Sequence, residues 1–465
     1  VGGRILWLEL GKLVKVTGVG DDRGVVFESV ELAHGLIIPP MAPAPESQWD
    51  NVDQMKLSVQ RAIDRWVGQV LCWGLSRWHS LTRRPVQVEG NTPRRLLVIL
   101  LSEMGSVVLA QAMFDELQRA HPGAQLHVLQ LRKNQSVMRL VGFVPESNLH
   151  SIDDSSLGHL LSSMWKALRD LRALQLDGVI DCELFSRISA LLSYGCGARV
   201  RVGFTPHTQE GLYRGNFTNA AVPYNPYQHI SLQFFGLARV MGRALSNPDE
   251  LGHARPLNRW VLPQLPTALR SLPLDVNESQ RFRQRLVADH PVFDRTSHRV
   301  LMYVSGGALP IRAWPEAHYI ELARELLNQG CAVGLIGLPE DTPQAQRVLA
   351  ALQHPACRDL TGYTRHLREL LMLFHQADLL ITNDGGPGHF ASLTPIQTLV
   401  FFGPETSRLY GPISPRATVL ESGMACSPCL SAYNHRDSFC DGDNRCLQVI
   451  EPAQVLSMAL QRLSS

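Results

Sequence analysis

Residues 378–394 read DLLITNDGGPGHFASLT. A short apolar run ends in Asn383 and Asp384; three glycines and a proline follow, then His389 and small apolar residues. An unbroken apolar run of this length, closed by glycine, reads as a strand buried on both faces, and the small residues after it read as the start of a helix. Such a strand delivers Asp384 to the edge of a sheet. Gly385, Gly386 and Gly388 let backbone approach a ligand without an intervening Cβ. The free N–H groups and positive dipole end of the next helix favour a phosphate. His389 either donates to a phosphate oxygen or packs under the loop. A lone glycine loop is equally the mark of a bare tight turn. What favours phosphate is recurrence: HRVLMYVSGG (298–307) is again a strand running into Ser305, Gly306 and Gly307.

Outward from these two loops, strands and helices alternate. RRLLVILL (94–101), QLHVLQL, DGVIDC (177–182) and ARVRVGF read as strands; VVLAQAMFDELQRAHPG, residues 157–174 and ELFSRISALLSYG read as helices between them. Residues 206–290 hold aromatic loops, a helix near 229–243 and a proline-rich crossing at 262–274. A second series follows: PEAHYIELARELLNQG (helix), CAVGLIG (strand), TPQAQRVLAALQ and LRELLMLFHQA (helices), DLLITND (strand), GHFASLT (helix) and TLVFFG (strand). Strands and helices in this rhythm imply parallel βαβ units. The expected architecture is α/β: two doubly wound Rossmann-like domains, over 91–270 and 290–465, facing a cleft at the C-terminal ends of their strands.

Before this, residues 1–54 end in the proline-rich IIPPMAPAPESQWDNVDQ, and Met55-Lys56 looks like a natural start. The segment is either a mis-called upstream extension, a loosely attached appendage or a small accessory hairpin. Residues 57–83, within a 55–90 segment, form an amphipathic helix carrying Trp66, Trp73 and Trp78 among arginines. Indoles and cations suit a helix lying in a lipid headgroup layer; a helix packed on its own domain fits the same pattern.

The bulk numbers narrow the class. Of 465 residues, 45% are hydrophobic and 18% charged, an ordinary globular balance, and Lys+Arg 44 against Asp+Glu 42 gives a net charge of +2. That balance supplies no electrostatic argument for nucleic acid. Nine cysteines, five of them scattered, do not make a secreted disulfide framework, so a reducing cytoplasm is expected. The sequence shows no 18-residue uncharged apolar run, and the first residues make a poor signal peptide.

TNDGGPGHFASL followed by TLVFFGPETSRLYGP resembles the C-terminal signature of the heptosyltransferase-like glycosyltransferases of family 9, a class with the two-Rossmann GT-B fold. RRLLVILLSEMGSVVLAQAMFDELQRAHPGAQLHVL, GCGARVRVGF and MYVSGGALPIRAWPEAHYIELARELL are similar to further family segments, in the right order, over roughly 94–460. The resemblance implies transfer of a sugar, typically a heptose, from a nucleotide diphosphate donor (ADP-heptose first) to a lipopolysaccharide core or other lipid-linked or oligosaccharide acceptor. It implies inversion at the anomeric centre, no catalytic metal, and work at the inner face of the bacterial cytoplasmic membrane. Asp384, Gly385, Gly386, Gly388 and His389 would hold the donor, with Ser305, Gly306 and Gly307 adding hydrogen bonds to phosphate. Arg312 stands where the family commonly has lysine, and a guanidinium there would clamp the leaving diphosphate. One position departs from the pattern. The family's Gly-Asp loop, whose aspartate is taken as general base, is here Gly105-Ser106. Serine lacks the basicity, so Glu103 is expected to take the proton while Ser106 orients the acceptor. Asp181 and Glu183, at another strand end, are second candidates.

Four cysteines close the chain: Cys426-x2-Cys429 and Cys440-x5-Cys446. That is tetrathiolate spacing, suited to a structural zinc or iron ion, and equally to packed or paired thiols; some relatives in the family resemble it and use it as a structural metal site. Two rival functions remain, a sugar-nucleotide epimerase and a catalytically silent sugar-nucleotide binder. The whole reading requires the Asp384–His389 turn to face the crevice between the two domains.

Overall fold

The computed structural model describes residues 4–7, 13–21, 24–32, 37–38, 53–82 and 95–464, apart from 102, 185, 206–212, 248, 250, 252–260, 308, 432–437, 439 and 441; side chains are described from 64 onward, 65 excepted. The proposed extension over 1–54 and the helix-flanking residues 83–90 therefore fall largely outside the described side chains. The chain forms two compact units, Val1–Gln60 and Arg61–Ser465. In the first, β1 (Arg4–Trp7), β2 (Leu13–Asp21), β3 (Gly24–Leu32) and β4 (Ile37–Ile38) pair antiparallel in sequence order. Helix α1 spans Asp53–Thr82.

The larger unit contains two six-stranded sheets, parallel throughout. The first holds β5 (Arg95–Ile99), β6 (Gln125–Leu131), β7 (Leu149–Ile152), β8 (Gly178–Asp181), β9 (Val200–Phe204) and β10 (Ala220–Val222), in the order β10-β9-β8-β5-β6-β7. Its helices are α2 (Met104–Leu109), α3 (Gln111–Ala120), α4 (Gln135–Val141), α5 (Leu157–Ala173), α6 (Arg187–Gly195) and α7 (Ile230–Ser246). After an extended crossing come α8 (Val276–Asp289) and α9 (Val292–Arg295). The second sheet holds β11 (Arg299–Tyr303), β12 (Ala332–Gly337), β13 (Cys357–Thr361), β14 (Leu379–Asn383), β15 (Gln397–Phe402) and β16 (Ala417–Glu421), in the order β13-β12-β11-β14-β15-β16. Helices α10 (Glu316–Asn328), α11 (Thr342–Leu352), α12 (Leu367–His375), α13 (Gly386–Ala391) and α14 (Ser407–Tyr410) cover it, and α15 (Arg445–Gln448) and α16 (Pro452–Leu463) close the chain.

The apolar runs explain the layering. β14 is buried along its whole length, and β5 along all but its first residue, because helices cover both faces of each sheet. One apolar cluster packs Leu97, Ile99, Leu171 and Leu192 on the outer face of the first sheet. Another packs Val300, Met302, Trp314 and Phe401 on the outer face of the second. A third runs through both sheets' inner faces, joining Leu96, Val107 and Val137 to Phe374, Leu380 and Phe390. The two lobes thus share a core at their seam.

Both strand orders reverse once: the chain leaves β5 towards β7 and returns to β8 on the other side, and it does the same between β11 and β14. Ligands of open α/β sheets bind in the crevice that such a reversal opens at the strand ends. At the two reversals the strand ends, the loops after them and the helix starts carry Glu103 and Ser106, Asp181 and Glu183, Ser305 and Arg312, and Asp384 and His389.

Candidate active site

After β11, the chain must turn sharply to present Arg312. Ser305 Oγ accepts the Gly307 N–H at 3.1 Å. A Cβ on Gly306 would lie 2.7 Å from the Leu309 carbonyl oxygen, and Gly307 has φ +61°. Both glycines therefore serve the turn itself. A single 3-10 turn, Pro310–Arg312, follows. Its other support is Asn383, the fully buried last residue of β14. Asn383 Oδ1 accepts the Trp314 N–H at 2.8 Å and the Tyr319 hydroxyl at 3.0 Å, while its Nδ2 donates to the Ser305 carbonyl at 2.9 Å. Trp314 stacks on Phe401 with ring centroids 4.6 Å apart and donates its indole N–H to the Ile450 carbonyl.

Arg312 is buried among carboxylates. Its Nε lies 3.4 Å from Asp384 Oδ2, its Nη2 3.3 Å from Glu405 Oε1 and its Nη1 3.9 Å from Glu103 Oε2. The Asp384 and Glu405 side chains are 7% and 1% exposed; that of Glu103 is 56% exposed. One buried guanidinium thus faces two buried carboxylates, with a third at the rim. Its charge is already compensated, so a diphosphate would have to exchange for a carboxylate to be clamped here. Arg312 Nε makes no hydrogen bond despite its burial.

The glycine turn after β14 faces the other lobe. A Cβ on Gly105, in α2, would lie 2.4 Å from His389 Cδ2, so the first loop's glycine is where the imidazole of the second lobe packs. His389 is buried, its Nδ1 makes no hydrogen bond, and its pKa is pushed down to about 4, by burial first and then by His229 and Arg312. His229 bridges the lobes as well: its Nε2 lies 3.0 Å from the Gly411 carbonyl, and its Nδ1 accepts the Ser231 N–H at the start of α7. Of the glycines after Asp384, Gly385 alone has open space above it, with only Pro387 Cδ at 3.9 Å. Added Cβ atoms at Gly386 and Gly388 would meet Phe390, Thr382 and Val400 of the same lobe. Close approach by a ligand is therefore open at one glycine of the three, and packing accounts for the other two.

Glu103 sits at the N-cap position of α2 but its side chain makes no cap bond; it leans to Arg312 across the seam. Ser106, half-buried, follows one residue after Gly105, and its N–H bonds the Glu103 carbonyl at 2.9 Å. The second candidates do structural work. Asp181 is ion-paired with buried Arg214, accepts the Ser189 hydroxyl at 3.1 Å and the Glu183 N–H at 3.0 Å, and burial pushes its pKa up. Glu183 accepts the Leu101 N–H at 2.7 Å. Sequence reasoning missed Glu405, Asn383 and His229; GPET after β15 lies in the stretch that resembles the family signature, but nothing in it marked Glu405 as a partner of Arg312.

Cys446 is buried, Cys429 and Cys440 are half-buried and Cys426 is exposed; all four are free thiols. They are neighbours: burial and then Cys429, Cys426 and Cys440 push the Cys446 thiol up to about 11. Among the described residues, however, no three His, Cys, Asp or Glu side chains are placed to hold a metal ion. Cys429 Sγ takes a hydrogen bond from Ser438, and Cys446 Sγ lies 2.9 Å from where a Gly403 Cβ would be. As placed, the tail does not form a ligand set. Cys72, Cys182, Cys196, Cys331 and Cys357, the five scattered cysteines, are buried small core residues.

The family model for glycosyltransferase family 9 (heptosyltransferase) matches residues 164–438. The chain belongs to this family. Lipopolysaccharide heptosyltransferase 2 of Salmonella typhimurium is 34% identical over 133 residues, which are 28% of this chain and 38% of that protein. The matched stretch thus spans well under half of that relative. Lipooligosaccharide heptosyltransferase 2 of Haemophilus ducreyi is 24% identical over 336 residues, 70% of this chain and 88% of that one. The solved structure of E. coli ADP-heptose lps heptosyltransferase II superposes with a TM-score of 0.58 at 21% identity, covering 80% of this chain and 98% of that one. Family 9 membership and this likeness bear out the expected two-lobed GT-B fold.

Proposed function

We propose that this family 9 member is an inverting, metal-independent glycosyltransferase that moves a heptose from ADP-heptose to a lipopolysaccharide core acceptor. The observation that carries the reading is the junction of the two strand-order reversals: Gly105 packs on His389 and Glu103 approaches Arg312, which sets an acceptor-side carboxylate against a donor-side glycine turn. Two buried nitrogens without a hydrogen bond, His389 Nδ1 and Arg312 Nε, lie at this junction, where a bound donor would satisfy them.

Diphosphate sits over Gly385 with Ser305, Asp384 and His389 around it. Glu103 takes the proton of the acceptor hydroxyl, which Ser106 orients. The acceptor oxygen forms its bond to the sugar's anomeric carbon from the face opposite the phosphate, whose oxygen leaves with the bonding pair as ADP. Arg312 meets that charge by exchanging its contact with Glu103, the longest and most exposed of the three, for a phosphate oxygen. The acceptor is lipid-linked and is reached at the inner face of the cytoplasmic membrane. A structural zinc or iron in the tail would need Cys426, Cys429, Cys440 and Cys446 to draw together from where they stand. One ion per purified chain by elemental analysis supports it, and none returns the tail to a packing role.

The test is a thermal-shift panel of nucleotide-sugars followed by turnover with core acceptor. ADP-heptose should raise the melting temperature with the logarithm of its concentration and release ADP when acceptor is added. Binding without ADP release under any acceptor makes the chain a silent binder, and no shift at all removes the donor assignment.

A further inference from the structure

Helix α1 has two stripes. Asp64, Gly68, Cys72, Ser76 and His79, at helical spacing, face the lobe. Asp64 Oδ1 accepts the N–H groups of Arg187 and Ile188 at 2.8 and 3.0 Å, and so caps the start of α6. Gly68 sits on the Arg187 side chain, and Ser76 and Ser80 accept hydrogen bonds from Asn216. Cys72 is fully buried with Ala190 and Phe217, and His79 meets Tyr194 edge-on. The small and polar stripe is therefore the one that docks.

The other stripe points outward. Trp66, Val70, Trp73 and Leu81, flanked by Val67, Leu71 and Trp78, are exposed, with the three indoles 58–69% accessible. From Trp66 to Leu81 this stripe runs about 22 Å at 1.5 Å per residue. Helix α5 adds a second. Leu157, Leu161 and Trp165, four residues apart, are exposed, Trp165 to 69%. Both helices flank α6. On the α5 side, Leu168 touches Gly195 and Arg172 donates to the Gly195 carbonyl.

We propose that α1 and α5 together form a surface that seats this protein on an anionic lipid bilayer. The side chains choose the occupant. Four exposed indoles suit the headgroup layer, where an amphipathic ring is half wet. Cations accompany them: Arg77 lies 5.3 Å over the Trp73 ring, and Lys166 is exposed on α5. The acids nearby are already engaged: Asp64 caps α6, while Asp153 and Asp154, ahead of α5, pair with Arg132 and Lys133. A cationic, indole-rich face complements anionic headgroups. No helix among the described residues is long and apolar enough to cross the bilayer, so the helices lie on it. The inference includes α5, which the sequence pattern alone did not single out. It concerns the outer face of the first lobe and rests on the reading that the acceptor is reached at the membrane, while using none of the residues of the transfer reaction.

The experiment floats the full chain with vesicles of phosphatidylcholine and phosphatidylglycerol, and with phosphatidylcholine alone. Binding is expected to the mixed vesicles, weaker without the anionic lipid, and reduced by salt. Trp73→Ser with Trp78→Ser should lower partition about tenfold or more, and Trp165→Ser should lower it separately, since binding scales with the apolar area inserted. Each variant's melting temperature and its shift with ADP-heptose should stay at the parent values. If the double variant misfolds, Trp165→Ser and Arg77→Glu carry the test. Absence of flotation overturns the proposal, as does flotation that none of these substitutions changes. So does light scattering that shows the same substitutions breaking a dimer of a protein that never binds vesicles. An ADP-heptose shift that survives while flotation fails would separate this surface from the active-site reading.

Discussion

At the residue scale, the proposed mechanism turns on one base and one cation. Glu103→Gln keeps the shape of the side chain but cannot accept a proton, so ADP release should fall by about 10²-fold or more while the ADP-heptose thermal shift persists. Unchanged turnover would move the base role elsewhere. Arg312 is the better test of stability. Arg312→Leu would take the guanidinium away from buried Asp384 and Glu405, at a cost of about 3–5 kcal/mol, read as a lower urea midpoint at neutral pH. Adding Glu405→Gln should return a substantial part of that loss, because a buried amide needs no counter-charge. A double variant as unstable as Arg312→Leu alone would mean that the Glu405 contact does not hold the guanidinium. Glu405 also shows the limit of reading residues singly. Asp384 was legible because a buried strand and a glycine turn bracket it. Glu405 also follows a buried strand, within a stretch that resembles the family signature, but its own role depends on a cation 93 residues away that no local pattern reveals.

At the element scale, the same division holds. The four central strands of each six-stranded sheet were legible, because helix-covered parallel strands must be apolar on both faces. The flanking strands β7, β10, β13 and β16 were not, since LHSI and AAV are too brief to show a period and CRDLT and ATVLE are only partly buried and carry charge. Nor was the cap that α1 supplies to α6, which joins residues 123 positions apart. Helices α2 and α13 meet at Gly105 and His389, and no pattern within either helix announces it. That contact predicts a steric outcome. Gly105→Ala would place a methyl 2.4 Å from the His389 ring, costing about 1–3 kcal/mol of stability and weakening ADP-heptose binding as the loops part. Combining it with His389→Ala should restore much of the stability without restoring the donor shift. Should Gly105→Ala melt like the parent, the two helices do not pack as described.

For the whole molecule, the seam can be read through acid sensitivity. His389 between the lobes and His127 inside the first sheet both have pKa values pushed down to about 4 from 6.5, chiefly by burial. Between those values the unfolded chain binds protons that the folded chain refuses. Stability therefore rises with pH through this window and falls as the solution is acidified from 6.5 towards 4. At pH 5 each histidine should subtract about 2 kcal/mol, a loss visible as a urea midpoint falling from about pH 7 to about pH 5. Asp181 acts in the opposite sense, because burial raises its carboxyl, so the total slope does not isolate the seam. His389→Gln does: it removes one titrating group at the junction and should flatten its share of the profile, while His127 and the other histidines that burial lowers, His121, His150, His229, His290 and His375, keep the remainder. If parent and variant lose stability in parallel, His389 titrates as it would in water. The imidazole would then not be enclosed by Gly105, and the two glycine-bearing loops would not meet where the transfer reaction needs them.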